Sequence, residues 1–345
     1  MLLIHIGFRK TGSSTIQHFL GLNAGRLARS GVDYPDAGRI GWAHNGLREE
    51  LQADGDLSQW RAVRDLAAAR PDRVTVVSCE GFDLLQAAQV ARLAVPLAGL
   101  EVRILAYIRD PAGWAVSFYG QQTLKAGNVL DFDALFERLK GHGRLRAGER
   151  LAPWAEVFGW DALRVRSLDP RSLAGGDLLD DLLDAVGLPG ADPDHAFAGR
   201  EPRKISRGWK PLEAMRALNG LAAADGLGPG HGRATRQVRM ACLDILEELG
   251  LDAERTAYAS LAQRRLCRSL HAEEIAALNR RLAPALPLPA DEEEEERPFL
   301  PSISHVPRAE RLALAEGLSA WAREADAIDR RRADALADCL RNPSA

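Results

Sequence analysis

Lys10, Thr11, Gly12, Ser13, Ser14 and Thr15 follow directly on Gly7-Phe8-Arg9. Cations, several hydroxyls and two glycines in so short a stretch suit a tetrahedral anion. The ammonium neutralises charge, the hydroxyls donate hydrogen bonds, and glycine lets backbone N–H groups come close. A second pair, Arg109 and Ser117, stands eight positions apart. A guanidinium fork at a strand's end and a hydroxyl on the next helix can converge on one phosphate. Two further groups could take a proton. They are His44, in Trp42-Ala43-His44-Asn45-Gly46, and Glu80, in Ser78-Cys79-Glu80-Gly81-Phe82. An unperturbed histidine titrates near ~6.5, which suits a base at neutral pH.

The elements that must position these groups follow from periodicity. Leu2, Leu3, Ile4 and Ile6 read as a buried strand, and a helix is expected from Ser14, with Ile16, Phe19, Leu20 and Leu27 along one face. Strand, glycine loop and helix start together make an anion site, because the first helical N–H groups lack partners in the helix. Gly31 to Pro35 reads as a short second strand, Asp36 to Asn45 as a loop, and Leu47–Leu51 and Leu57–Ala69 as helices. Val74 to Ser78 is a β-branched run suited to a strand covered on both faces. A helix over Leu84–Leu97 and a strand over Val102–Ile108 come next; Asp110 is a good N-cap and Pro111 a good first helical residue for a helix reaching Lys125. Helices at Phe132–Leu139 and Asp177–Val186 flank a fifth strand at Leu163–Arg166. Alternating strands and helices predict an α/β fold with a parallel sheet covered on both faces. Beyond Leu188 helices are expected at Pro211–Ala223, Thr235–Leu249, Leu261–Arg268 and Ala309–Leu340, with no strand. The expected organisation is a core over residues 1–190 and an all-helical extension over 191–345, packed on it within the same domain. Asp291 to Glu296 reads as a solvated acidic loop.

In a Walker A loop the lysine directly precedes the final Ser/Thr, whereas Lys10 precedes the second glycine and Ser13 follows it. The run His5-Ile6-Gly7…Lys10-Thr11-Gly12-Ser13-Ser14 resembles the 5′-phosphosulfate loop of PAPS-dependent sulfotransferases, particularly the bacterial branch with its His-Ile-Gly…Lys-Thr-Gly-Thr-Thr pattern. Arg109 and Ser117 resemble that family's 3′-phosphate motif. The resemblance implies a P-loop-like three-layer core with about five parallel strands. It also implies transfer of a sulfuryl group from PAPS to a hydroxyl or amine, leaving adenosine 3′,5′-bisphosphate, without a metal. Residues Arg9 to Thr15 would cradle the phosphosulfate, and Lys10 would stabilise the leaving oxygen. Arg109 and Ser117 would hold the 3′-phosphate, and His44 or Glu80 would be the base. The acceptor class stays open between a small molecule and a glycan. Arg203 to Lys210 loosely resembles the family's basic segment over the 3′-phosphate, with Ile205 and Gly208 departing from it. Trp154, Trp160 and Trp209 are candidates for core packing or for an acceptor wall. A nucleotide or small-molecule kinase using ATP-Mg²⁺ is the same-fold alternative, and a non-catalytic nucleotide-binding protein is the other.

Composition narrows the setting. A net charge of −3 argues against wholesale nucleic-acid binding, so an anion site must be local. Cys79, Cys242, Cys267 and Cys339 are scattered without metal-ligand spacing, and they fit buried thiols in a reducing compartment. No apolar run approaches the ~20 residues that span a bilayer. His5, Arg9 and Lys10 break up the first apolar run, so it reads as a strand and not as a secretion signal. A cytoplasmic protein without membrane or nucleic-acid partners is the expectation.

Overall fold

The computed structural model describes residues 1–53, 55–188, 197–199, 208–224, 233–254, 256–282, 286, 296–297 and 299–343. Five strands form one all-parallel sheet: β1 (Leu2–Gly7), β2 (Val32–Asp33), β3 (Val74–Glu80), β4 (Val102–Ile108) and β5 (Leu163–Ser167), in the spatial order β2-β3-β1-β4-β5. The helices are α1 (Ser13–Leu22), α2 (Ala24–Arg29), α3 (Asn45–Gln52), α4 (Ser58–Ala69), α5 (Ala87–Ala91), α6 (Pro111–Lys125), α7 (Phe132–Leu139), α8 (Ala147–Phe158), α9 (Leu178–Ala185), α10 (Trp209–Ala224), α11 (Arg233–Glu248), α12 (Leu261–Asn279), α13 (Arg308–Ala322) and α14 (Ala327–Arg341). The chain divides into two compact units. The first is Met1–Pro111, His142–Lys204 and Ser269–Ala290; the second is Ala112–Gly141, Ile205–Arg268 and Asp291–Ala345.

In the first unit the alternation of strand side chains builds two separate cores. Leu2, Ile4, Ile6, Val77 and Ile104 face one way, against Leu47, Trp60, Val90 and Trp154 of α3, α4, α5 and α8. Leu3, Val76, Leu105 and Tyr107 face the other way, against Ile16, Phe19 and Leu182 of α1 and α9. Each fully buried side chain of this kind contributes roughly 1.5–3 kcal/mol. The connection leaving β1 runs to β2 on one side, whereas that leaving β4 runs to β5 on the other. The helices that follow β1 and β4 therefore lie on opposite faces of the sheet, and open α/β sheets bind ligands at the carboxyl ends of such strands.

Several elements differ from expectation for local reasons. The first helix breaks at Asn23, whose side-chain amide donates to the Phe19 and Ala198 carbonyls and accepts from the Ala198 N–H, so α1 and α2 are separate. The expected helix over 84–97 shrinks to a 3-10 turn (Phe82–Leu84) and short α5. Leu85 and Gln86 are extended, and Pro96 has no N–H to continue a helix. α8 occupies a stretch to which periodicity assigns no element, and it carries Pro153 in its interior. The expected long C-terminal helix is two, because the Asp326 carboxylate caps a new start by accepting from the Ile328 and Asp329 N–H groups. α9 starts as expected on its Asp177 cap. In the second unit, Met215, Leu218, Cys242, Leu318 and Leu336 of α10, α11, α13 and α14 form a helical core. Beyond Leu188 the described regular elements are all helical. Residues 203–207 of the basic stretch and 291–295 of the acidic run lie outside the described residues. Among the described residues no helix is long and apolar enough to cross a membrane, and all four cysteines are free.

Candidate anion-binding site

β1 ends at Gly7, opposite Glu80 in the β3 register, and the Gly81 N–H donates to the Gly7 carbonyl at 3.3 Å. The loop Phe8–Gly12 then turns the chain into α1. Two of its residues take left-handed backbone angles: Lys10 at φ 68° and Gly12 at φ 83°. Lys10 is the sole non-glycine residue with positive φ among those described. Such a conformation costs a lysine roughly 1–3 kcal/mol, and it persists only where the surroundings impose it. Alternating backbone hands turn successive N–H groups inward, which is how anion-binding nests form. Gly12, the N-cap of α1, has no side chain to cap the helix, and the first turn carries no acid. No side chain caps the helix start, and its Thr15 N–H turns back to donate to the Gly12 carbonyl at 2.8 Å; the dipole of α1 still favours negative charge at this end.

The loop is held from inside. The Thr11 and Ser13 hydroxyls donate to the Phe8 carbonyl at 2.7 and 3.0 Å, and both residues are buried. This modifies the sequence expectation: these two hydroxyls shape the loop from inside, while Lys10, Ser14 and Thr15 are half-buried. Gly12 is favoured by its φ, and a Cβ there would lie 2.3 Å from Leu178 Cδ2 of α9, so the tip of that leucine would have to shift.

Three neighbours complete the edge. Glu80, about one-third exposed, approaches the Arg9 guanidinium at 3.9 Å. Arg109 directly follows β4 and is partly buried; burial moves its guanidinium below the usual range, partly countered by Asp110. From α8, Arg150 reaches beneath the loop. It is 9% exposed, pairs with the buried Asp83 carboxylate, and lies with Cζ 4.7 Å from the centroid of the Phe8 ring. Burial first, and then the like charge of Arg9, lower its pKa to about 10, so it stays charged at neutral pH. Arg150 and Asp83 escape the sequence reading because 67 positions separate them and Pro153 argues against a helix where Leu151, Trp154, Ala155 and Phe158 keep helical spacing. A basic residue facing inward on an otherwise apolar helix stripe is the one trace they leave.

His44 is elsewhere in its chemistry. It is fully buried at the N-cap of α3; its Nδ1 accepts from the Ser78 N–H at 3.1 Å and its Nε2 lies 3.0 Å from the Pro35 carbonyl. A carbonyl only accepts and an amide N–H only donates, so the proton sits on Nε2 and the ring is neutral. Burial lowers its pKa to about 4. Both nitrogens are used within the fold, and neither is left to take a proton from an acceptor. Ser117 lies on α6, half-buried, in the second unit. Trp154 and Trp209 are buried, with indole N–H groups donating to the Phe82 carbonyl and the Glu254 carboxylate, so neither forms an exposed wall.

A separate pocket of about 520 Å³ opens beside α3 and α4, lined by residues including Asp36, Arg39, Glu49 and Gln59 and by none of the loop. Its carboxylates are engaged: Asp36 pairs with Arg39, and Glu50 accepts from the Gln59 and Trp60 N–H groups. Among the described residues no group of three or more His, Cys, Asp or Glu is arranged to hold a metal ion. No family model, curated protein or solved structure matches the chain.

Proposed function

We propose that the chain is a sulfotransferase that takes PAPS as its donor substrate and sulfates a hydroxyl or amine. The observation that carries this reading is the loop itself: Lys10 and Gly12 in left-handed conformations before a helix with no side-chain cap, after the strand beside the one that Arg109 follows. The fit is chemical as well as topological. The loop offers backbone donors and a cation to a terminal phosphosulfate, and Arg109 offers a guanidinium at the adjacent strand end. The donor supplies an activated sulfuryl group. Lys10 neutralises the charge that grows on the bridging oxygen as the S–O bond breaks. The rest of the task is in-line placement, which a rigid loop serves. Glu80, at the same edge, accepts the acceptor's proton; it takes this role over His44, whose nitrogens are both bonded inside the fold. A glycan or small hydroxylated molecule is the acceptor class. Residue order favours PAPS over ATP-Mg²⁺, because the lysine precedes the second glycine and not the final hydroxyl.

Isothermal calorimetry of the purified chain against adenosine 3′,5′-bisphosphate, with ATP-Mg²⁺ in parallel, tests the reading. Metal-independent binding of the bisphosphate, with ATP at least about tenfold weaker, is expected (~1.4 kcal/mol). Preference for ATP-Mg²⁺ would replace the sulfotransferase with a kinase, and binding of neither would leave a non-catalytic fold.

A further inference from the structure

The loop that faces the donor is fixed by one atom, the Phe8 carbonyl oxygen, which accepts from both Thr11 and Ser13. The same residue is 5% exposed, and the Arg150 guanidinium lies over its ring. Arg150 is in turn held by Asp83, whose side chain is fully buried, through the ion pair and a contact of its Nε–H with the Asp83 carbonyl at 3.4 Å. One turn along α8, Trp154 bonds the neighbouring Phe82 carbonyl at 3.3 Å, so the turn at 82–83 is anchored twice. Trp154 would suffice as an anchor. A buried ion pair is a poor way to stabilise a core, since an apolar residue of similar volume commonly does as well or better. What the guanidinium adds is a flat, charged face against Phe8, which neither an apolar side chain nor a lysine provides.

We propose that Arg150 is a positioning residue for the anion-binding loop: through the Phe8 ring it sets the Phe8 carbonyl, and through that carbonyl the direction of the loop amides up to residue 14. Asp83 holds Arg150 in place and does not itself meet the loop's ligand. The role rests on the sulfuryl-transfer reading for the identity of the ligand, but not for the ordering of the loop. Small displacements of such amides weaken an oriented site steeply, as a 1 Å error can cost on the order of 100-fold in rate.

The test uses the full chain and two variants. Arg150→Lys keeps a cation for Asp83 but loses the flat face; Phe8→Leu loses the ring and leaves the ion pair untouched. Amide hydrogen exchange is read first and needs no ligand. Segment 8–16 is expected to exchange about tenfold faster in both variants, while exchange of β1, β3 and β4 and the midpoint of thermal unfolding stay close to wild type. Calorimetry then follows with adenosine 3′,5′-bisphosphate: each variant binds about tenfold more weakly, and the double variant binds no more weakly than the poorer single one, because both break the same link. Loop exchange at the wild-type rate in Phe8→Leu overturns the proposal, as does full additivity in the double variant. Should Arg150→Lys fold poorly, Phe8→Leu decides alone. Should the wild-type chain bind no bisphosphate, the sulfuryl-transfer reading falls, and the exchange rates still decide the role of Arg150.

Discussion

His44 and Ser78 are joined twice: the His44 N–H donates to the Ser78 carbonyl at 2.8 Å, and the Ser78 N–H donates to His44 Nδ1 at 3.1 Å. On its other side, the Ser78 hydroxyl lies 2.7 Å from Nδ1 of the buried His5. The two histidines thus meet at Ser78, His44 on its backbone and His5 of β1 on its hydroxyl, both neutral at pKa values lowered by burial to about 4 for His44 and about 3 for His5.

The first prediction follows from that neutrality. The unfolded chain binds a proton at each histidine below ~6.5 and the native chain does not, so stability is full above pH ~6.5 and falls as pH drops toward 4. The loss between pH 7 and pH 5 is roughly 2 kcal/mol for each ring. Carboxylates with lowered pKa, such as Asp33 beside Arg73, add their own loss only near and below pH ~4. Thermal unfolding followed from pH 7.5 to 5 should show the decline, and His44→Ala should flatten it by about half while costing ~1–3 kcal/mol at pH 7.5. A pH-independent midpoint over this range would mean that the rings protonate inside the fold.

Lys10 carries two separable effects. Lys10→Ala should cut sulfuryl transfer by about 10²–10³-fold, the scale for removing one transition-state charge contact. Lys10→Gly should be equally inactive yet more stable than Lys10→Ala by ~1 kcal/mol, because glycine accepts φ 68° without strain. Equal stability of the two variants would remove the left-handed conformation.

Arg109→Ala should weaken adenosine 3′,5′-bisphosphate about 10–100-fold in calorimetry, as expected for a lost charge-assisted fork. Unchanged affinity would take Arg109 out of the donor site.

Glu80→Gln should lower kcat by about 10²–10⁴-fold and leave bisphosphate affinity within about threefold, which separates proton removal from donor binding. A wild-type rate would exclude Glu80 as the base.

Gly12→Ala should lower the unfolding midpoint by several degrees, since it imposes φ 83° on an alanine and drives its Cβ to 2.3 Å from Leu178. Adding Leu178→Ala should recover none of the backbone part, so calorimetric unfolding of the pair measures each cost.

The sheet was legible from residue types: β1, β3 and β4 lie where Leu, Ile and Val cluster, β5 alternates Leu and Val with Arg, and α9 falls within the expected 177–186. The Gly/Lys/Ser loop was legible as well. What was not legible depends on contacts far apart in the chain. Nothing local tells that Asn23 bonds Ala198, that Arg150 underlies Phe8, or that the hydroxyls of Thr11 and Ser13 face inward. His44 shows the same limit from the other side. Its setting between Trp42 and Gly46 suggests an exposed loop base, and burial against Tyr34 with two backbone partners makes it a strut.

The anchoring of the loop by α8 and α9 also has a history in time. Residues 7–15 leave the ribosome before the side chains that pack against them, Arg150 and Leu178, which are more than a hundred positions downstream. At ordinary rates of synthesis the nascent loop waits on the order of 10–30 s for those partners. β3 and β4, which flank β1, emerge within that interval and before α8, so a nascent chain stopped before α8 holds the strands of the site but not the side chains that pack against its loop, and should bind adenosine 3′,5′-bisphosphate more weakly than the full chain.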